Sequence, residues 1–535
     1  MSKQTCGEAL VGLLEAYGID TVFGIPGVHT VELYRGLSES RLRHITPRHE
    51  QGAGFMADGF ARAGGRPAAC FIITGPGMTN ITTAMGQAFG DSVPMLVISS
   101  VNATGDLGLG EGRLHELPSQ RSLVAGVSAF SHTLMRPEEL PQVLERAFAL
   151  FNSARPRPVH IELPLDVITA AAEILPRTAA PRVEKPAPDE TQVARAAALL
   201  RKAERPLVVL GGGAQDAVSE ARELVKRLGA PAVTTINGKG ILSPDDPLSL
   251  GSTLPQPPVL EALGNADVVL AVGTELGETD TLLFRRRLEL NGKLIRVDID
   301  REQLRRNALP EVGIVSDSKA ALAALSDALT SAGAGKGAQT DRAKALRAQL
   351  EALLTEPQRV HQRIMQALDE ALPDAIVVGD STQLVYSANL FYKPQAPRSY
   401  FNSSTGYGTL GYALPASLGA KLALPDRPVV SIIGDGGLMF TIAELATAVE
   451  LKLSVAILVW NNRGYGEIKK YMSERGIAEI GVDIYTPDLL AIARAFGCHT
   501  ARADTLDQLR ELLAETPRAP GATVIEVDED TALNW

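Results

Sequence analysis

At 535 residues the chain is too long for one ordinary domain, and its length suggests three or four. Hydrophobic residues make up 45% and charged residues 21%, the balance of a soluble protein with sizeable cores. A formal net charge of −10 argues against nucleic acid as the default partner, because phosphate binding needs a basic surface; only a local basic pocket for a cofactor's phosphates stays open.

The segment Met1 to Asp20 sets charges among apolar residues at helical spacing, which predicts an amphipathic helix and no secretory leader. No uncharged apolar run approaches the ~18 residues of a membrane helix, so no membrane partner is expected. Cys6, Cys70 and Cys498 lie far apart without a CxxC pattern, which suits buried thiols in a reducing cytoplasm. Short β-branched runs then alternate with helical stretches: Ala69 to Ile73, Met95 to Ser100, Pro158 to Leu163, Leu207 to Leu210, Val268 to Val272, Ala375 to Val378, Val429 to Ile433, Val455 to Trp460 and Thr523 to Val527. Runs of this kind read as strands buried on both faces, the mark of parallel α/β sheets.

Residues 174–192 are rich in proline and charge, and residues 330–345 in Gly, Ala and Ser; both read as linkers. They predict an α/β chain of three doubly wound parallel-sheet domains over 1–175, 190–330 and 346–535.

The strongest chemical signal lies in the third domain. A buried-type strand runs into Gly434-Asp435-Gly436-Gly437, then comes a helix, then a second strand ending at Asn461-Asn462. Asp435 and Asn462 are thus expected at the carboxyl ends of two strands, where open α/β sheets place ligands. A carboxylate, an amide oxygen and a backbone carbonyl make the sparse all-oxygen shell that Mg²⁺ prefers, completed by phosphate oxygens and water. Gly436 and Gly437 let the backbone approach a diphosphate, and the helix start that follows offers N–H donors. Either half alone reads as an ordinary turn.

The GDG…NN pattern resembles the thiamine-diphosphate (ThDP) signature of the pyruvate decarboxylase and acetolactate synthase superfamily, and the resemblance covers essentially the whole chain. It implies a pyrimidine-binding, a central and a diphosphate-binding domain in that order. It implies that Asp435 and Asn462 bind Mg²⁺ through side chains and Gly464 through its carbonyl, with Gly434, Tyr465, Gly466 and Ile468 also at the cofactor.

The stretch Arg48 to Gly59 reads as a helix carrying three glycines, each costing ~1 kcal/mol relative to alanine, so it must pack closely against something. Glu50 at its start suits a first-turn acid favoured by the helix dipole. By the resemblance it is instead the glutamate that bonds N1′ of the aminopyrimidine, and a partly buried glutamate with a raised pKa is suited to share that proton. Other matches follow the same resemblance. Phe23 to Gly27 and Thr74 to Gly77 line the floor of the site, and Pro26, Thr74 and Asn80 contact the cofactor. Gly379 to Gln383 resembles the segment at the diphosphate, with Ser381, Thr382 and Gln383 touching it. Gly406 to Gly411 matches GxGxxG, but no apolar strand precedes it, which argues against a dinucleotide site. Here the resemblance implies that Leu410 is wedged between the cofactor's rings and that Gly408 offers a carbonyl to its 4′-amino group. A core leucine is the other reading of Leu410.

Gly211-Gly212-Gly213 and the strand ending at Gly273-Thr274-Glu275 belong to the central domain, which binds FAD or ADP in some relatives and is empty in others. Without a further nucleotide signature, an empty domain is favoured over FAD.

The acetolactate synthase Phe-Gln-Glu motif is replaced by Leu114-His115-Glu116, and no two of the eight histidines are adjacent, unlike the pair in pyruvate decarboxylases. The Leu114 to Gln120 segment, Phe23 to Thr30 and Thr405 to Tyr412 most resemble 5-guanidino-2-oxopentanoate (2-ketoarginine) decarboxylases. That resemblance implies loss of CO₂ from a 2-oxo acid to give an aldehyde, with acetolactate-type carboligation as the alternative. A cationic substrate needs carboxylates, and Glu111, Glu116 and Glu467 are the candidates, with Glu467 or Glu116 facing its tail. His115 joins Glu50, Gly408, Leu410 and Glu467 as a candidate catalytic residue. The superfamily shares its sites between subunits, so a homodimer or homotetramer is implied. A catalytically dead scaffold is disfavoured because Glu50, Asp435 and Asn462 are all present. An NAD-dependent oxidoreductase is disfavoured by the lone, misplaced GxGxxG.

Overall fold

A computed structural model describes residues 4–172, 178–284, 286–330 and 339–535. Its first sheet holds β1 (Thr21–Gly24), β2 (Arg43–Ile45), β3 (Ala68–Ile72), β4 (Met95–Val101), β5 (Phe130–Thr133) and β6 (Val159–Pro164), in the order β2-β1-β3-β4-β6-β5. The second holds β7 (Leu207–Leu210), β8 (Ala232–Thr234), β9 (Val268–Val272), β10 (Lys293–Asp298) and β11 (Val312–Val315), ordered β11-β10-β9-β7-β8. The third holds β12 (Ile376–Gly379), β13 (Tyr400–Asn402), β14 (Val429–Gly434), β15 (Ala456–Asn461), β16 (His499–Arg502) and β17 (Thr523–Asp528), ordered β13-β12-β14-β15-β17-β16. Every strand pair is parallel. The first and third sheets therefore share one topology. Their order reverses between β1 and β3 and between β12 and β14, the switch points where such sheets open a crevice for ligands.

Each apolar run named above is a strand within one residue of its observed bounds. The strands that the sequence reading passed over are mostly short or at sheet edges. β5 and β16 carry no fully buried residue, so half-solvated edges lack the continuous apolar run that gave the central strands away.

Helices α1 (Glu50–Gly64) and α2 (Pro76–Gly90) flank the first sheet. Helix α3 (Thr340–Ala352) corrects the second linker: it starts inside that stretch and runs past residue 346, where the third domain was expected to begin. Its Ala343 and Leu346 are buried in the core beneath the second sheet, so an amphipathic stripe outweighs the breaker-rich composition of its surroundings. Residues 331–338 and 173–177 of the two linkers lie outside the described residues.

Helix α4 (Ala413–Ala423) packs face to face with α1, and one apolar cluster runs through both helices from the first sheet to the third. The glycines explain the closeness. A side chain on Gly59 would strike the Ala416 carbonyl, and one on Gly419 the Met56 carbonyl; Gly54 faces Ala84 of α2. Gly59→Ala should therefore destabilise by about 1–3 kcal/mol, as overpacking does, visible as a lowered thermal midpoint. Helix α5 (Asp435–Thr441) follows β14 directly, and α6 (Gly466–Glu474), which buries none of its residues, follows β15 after a short turn. No helix among the described residues is long and apolar enough to cross a membrane. Cys6, Cys70 and Cys498 are free and buried.

Candidate functional site

The carboxyl ends of β12, β14 and β15 converge, because these three strands are neighbours. Asp435, the first residue of α5, is 1% exposed. Its Oδ2 accepts from the Thr486 hydroxyl at 2.9 Å, and among the described residues it has no ion-pair partner. Burial pushes its carboxyl above the usual range, with the Thr486 hydroxyl partly offsetting this. Asn462 meets the Gln383 side-chain amide at 3.0 Å, and turning that amide over lets Gln383 donate to Glu529 at 3.1 Å. Around them the glycines are crowded: a side chain on Gly436 would meet the Tyr465 ring, on Gly437 the Asp380 carboxylate, on Gly434 the Thr382 hydroxyl, and on Gly466 the Asn462 amide. Gly464 bridges to Asp483, fixing the turn before α6. The structure thus gathers Thr382, Gln383, Gly434, Asp435, Gly436, Gly437, Asn462, Tyr465 and Gly466 into one group. Ser381 joins through Asp380, whose Oδ1 accepts from the Ser381 N–H at 2.8 Å, while Ile468 points outward and is 52% exposed.

Residues 403–411 lie beside this group. One expectation needs correction: a strand, β13, does precede Gly406, separated from it by a single 3₁₀ turn at Ser403–Thr405. It was invisible because a three-residue edge strand leaves no periodicity. The loop is tied from below. Thr405 Oγ1 bonds Asp91 at 2.9 Å, and Asp91 also accepts from Arg62 and Gln87, each at 2.7 Å. Asp380 Oδ2 accepts from the Ala413 N–H at 3.1 Å. Gly408 has φ 80°, which only glycine adopts readily, and open space around its Cα. Leu410 is half-buried and belongs to none of the core clusters, which removes the core-leucine reading.

A second group forms at the carboxyl ends of β1, β3 and β4. Glu50 opens α1, and its Oε2 accepts from Asn80 Nδ2 at 2.9 Å. Glu444, from the third domain, holds this helix start by accepting from the backbone N–H groups of Arg48 and His49 at 3.0 and 3.1 Å. Buried Thr74 donates to Gln120 Oε1 at 2.9 Å, and the Gln120 amide donates onward to Ser99, the Ser100 carbonyl and Glu162. Pro26 is exposed at the tip of the turn after β1, and His115 lies against Gly75. Among the described residues no hydrogen bond joins the Glu50 group to the Asp435 group within one chain.

Three segments of the chain match family models: residues 4–123 the "Thiamine pyrophosphate enzyme, N-terminal TPP binding domain", 193–325 the "central domain", and 380–527 the "C-terminal TPP binding domain". The chain is 47% identical to a probable 2-ketoarginine decarboxylase of Pseudomonas aeruginosa over 98% of its own length and 94% of the relative's. The chain belongs to the thiamine pyrophosphate enzyme family. It is also 34% identical to the acetolactate synthase isozyme 1 large subunit of Escherichia coli, over 98% of this chain and 94% of that one. A probable acetolactate synthase large subunit of Methanocaldococcus jannaschii is 31% identical, over 95% and 89%.

The residues present fit that cofactor. A buried carboxylate at the end of β14, Asp435, has no counter-charge among the described residues, and Glu50 keeps one carboxylate oxygen without a hydrogen bond among them. Motif reasoning missed Thr486, Glu529 and Glu444, because none sits at a spacing that marks it, and it gave Asp380 and Gln120, inside the segments 379–383 and 114–120, no role of their own; the fold supplies one. In the second domain, side chains on Gly211 and Gly213 would strike Gly273, so the glycines there serve the contact between the ends of β7 and β9.

The three candidate carboxylates for a substrate tail separate cleanly. The two oxygens of Glu116 accept from the Gly110 and Arg113 N–H groups at 2.8 and 2.9 Å, and the bond from Arg113 first of all holds its pKa down. Glu111 pairs with Arg113 at 3.0 Å on an exposed loop. Glu467 is half-buried on α6 and makes no ion pair among the described residues. Its charge adds to burial in raising the Tyr386 phenol to about 12.

Proposed function

We propose that this enzyme releases CO₂ from a 2-oxo acid with a cationic tail, 5-guanidino-2-oxopentanoate, and leaves an aldehyde. The chain is a ThDP-dependent 2-oxo acid decarboxylase on this reading, and the observation that carries it is its 47% identity, end to end, with a probable 2-ketoarginine decarboxylase. Asp435, Asn462 and the Gly464 carbonyl would hold Mg²⁺, and the Gly436-Gly437 backbone would receive the diphosphate. When bound, ThDP supplies the electron sink that lets the carboxylate leave as CO₂. Glu50 would hold a proton at N1′ of the aminopyrimidine, the Gly408 carbonyl would accept from its 4′-amino group, and Leu410 would pack against the cofactor. Pro26, Thr74, Asn80, Ser381, Thr382, Gln383, Tyr465, Gly466 and Ile468 complete the cofactor's surroundings.

Two chains assemble the site. Glu50 of one faces the Asp435 group of another, in a homodimer or a tetramer built from it, in the cytoplasm. Apolar side chains left exposed in the third domain of the single chain support this: Tyr485 is 89%, Ile480 77% and Phe440 55% exposed.

Glu467 meets the guanidinium. Glu467→Gln should raise KM for 5-guanidino-2-oxopentanoate about 10-fold or more, the value of a charge-assisted hydrogen bond, with little change for neutral 2-oxo acids. An equal effect on both classes would place Glu467 away from the tail. The reading as a whole is tested by CO₂ release from pyruvate, 2-oxoisovalerate, benzoylformate and 5-guanidino-2-oxopentanoate with ThDP and Mg²⁺, the products identified by mass. Stoichiometric aldehyde from the guanidino acid is the expected result. Acetolactate from pyruvate would move the chain to the carboligase branch, which its 34% identity to an acetolactate synthase favours as the second reading.

A further inference from the structure

Away from the cofactor group, a cleft of about 360 Å³ opens where the second and third domains meet, within the size range of small-molecule pockets. Helix α3 supplies one wall. Its Ala343 and Leu346 enter the core beneath the second sheet, while Lys344, Arg347, Ala348 and Glu351, at i, i+3, i+4 and i+7, line the cleft from the next face. Leu250 of the second domain lines it as well, together with Leu390 and Phe391, which end the helix Gln383–Phe391 of the third.

The lining divides by chemistry. Leu250, Leu350, Leu354, Leu390 and Phe391 make it apolar, and Leu353 beside them is left 46% exposed. Three cations share the lining: Lys344, Arg347 and Lys393. None of them makes an ion pair among the described residues, although the chain as a whole carries a net charge of −10. Arg347 Nη1 donates to the Pro247 and Ser249 carbonyls at 2.6 and 3.2 Å, which anchors its guanidinium. The one carboxylate of the lining, Glu351, is already paired with Arg359 at 2.9 Å. Apolar surface beside uncancelled positive charge complements a small molecule with an apolar body and one negative group. The same three cations repel a substrate with a cationic tail, so the cleft is not a second seat for 5-guanidino-2-oxopentanoate.

A short rigid element joins the cleft to the cofactor group. The helix Gln383–Phe391 begins at Gln383, whose side chain meets Asn462 at 3.0 Å, and ends in the cleft about 13 Å along its axis. Asn389, next to Leu390, accepts from the Tyr400 hydroxyl and the Asn402 amide, each at 2.8 Å, and donates to the Ser404 hydroxyl at 3.0 Å. Ser404 lies in the turn that leads into Gly406 to Gly411. From the second domain, the Ser252 hydroxyl donates to the Asn389 carbonyl and Lys239 Nζ to the Tyr392 carbonyl. The end of this helix is thus gripped by one domain and bonded to the cofactor loop of another.

We propose that the cleft is an effector site for an amphipathic monocarboxylate, a carboxylate on an aliphatic or aromatic body of about eight carbons, and that its occupancy alters cofactor affinity through the helix Gln383–Phe391. Lys344, Arg347 and Lys393 receive the carboxylate, and Leu350, Leu390 and Phe391 receive the body. Binding needs only the cleft; the coupling rests on the cofactor reading above.

The test is calorimetric titration of the full-length apoenzyme with octanoate, its neutral twin octanamide, and acetate. Octanoate is expected to bind one site per chain with Kd below about 1 mM. Octanamide should bind about 10-fold more weakly for want of the charge, and acetate about 100-fold more weakly for want of the body. Lys344→Glu combined with Lys393→Glu, both exposed, should weaken octanoate about 10-fold or more and octanamide little. Ala348→Trp, which fills the cleft from α3, should abolish both. Saturating octanoate should change the Kd of ThDP with Mg²⁺ at least about threefold, and saturating ThDP that of octanoate by the same factor, as linkage requires.

No saturable octanoate binding below about 10 mM would overturn the site, as would octanamide binding equally well or binding undiminished in Ala348→Trp. Light scattering that shows Ala348→Trp dissociating into single chains would make the cleft a contact between copies, which defeats the proposal too. An unmoved ThDP affinity would remove the coupling. Wild type that binds no ThDP would overturn the cofactor reading and the coupling together, while octanoate binding still decides the site.

Discussion

Replacing Glu50 by Gln is expected to lower turnover by about 10²–10⁴-fold while leaving ThDP affinity within a few-fold, the range lost when a positioned acid–base group is removed. The substitution is nearly isosteric. A glutamine carbonyl still accepts from Asn80, whose amide is 2.9 Å from Glu50 Oε2, and the start of α1 remains held by Glu444. What disappears is the carboxylate that, on the proposed reading, exchanges a proton with N1′ of the aminopyrimidine. Steady-state rates, paired with calorimetric titration of ThDP into the apoenzyme, separate the two effects. A turnover loss below tenfold would mean that Glu50 is only a first-turn acid on its helix.

Central features of this molecule are legible in the sequence because their physics is local. Buried parallel strands such as β4 and β14 have every or nearly every residue inside, so their apolar runs are unbroken and their ends can be read to a residue. The Asp435 and Asn462 positions follow from those ends, since a motif at the carboxyl end of a strand inherits its place from the sheet. The glycines of α1 announced a close partner but could not name it; Ala416 is more than 350 positions away, and only the packing of α1 on α4 identifies it.

The remaining features are non-local. β13 is three residues long at a sheet edge, and Glu116 looks like any loop acid until the Gly110 and Arg113 N–H groups are seen to hold it. Helix α3 lay hidden in a stretch whose composition suggested a linker, although its apolar face had a core to join. His29 and His115 meet across loops that no spacing rule connects. Gln120 is similar: it ends the Leu114 to Gln120 segment, but its part in bonding Thr74, the Gly75 N–H and Glu162 depends on three strands converging.

Asp435→Asn should abolish useful cofactor binding, and this loss is larger than any other predicted here because it acts before chemistry begins. Altering a group that merely orients a metal ligand costs about 10–100-fold in affinity, and removing the charge of the ligand itself costs more. Asp435 is buried, bonded to the Thr486 hydroxyl at 2.9 Å, and without an ion-pair partner among the described residues, so on the proposed reading a divalent cation would supply the charge that its carboxylate lacks. Asparagine keeps the Thr486 bond and the shape, which limits the structural damage; the free protein should unfold at a similar temperature, or a slightly higher one, since an uncompensated buried charge has been removed. Thermal unfolding then gives a direct reading. Saturating ThDP and Mg²⁺ at about 100 times Kd stabilise the wild type by about 2.7 kcal/mol per site, a shift that Asp435→Asn should not show. A variant that still gains the full shift would assign the metal to other ligands and break the link between the GDG turn and the cofactor.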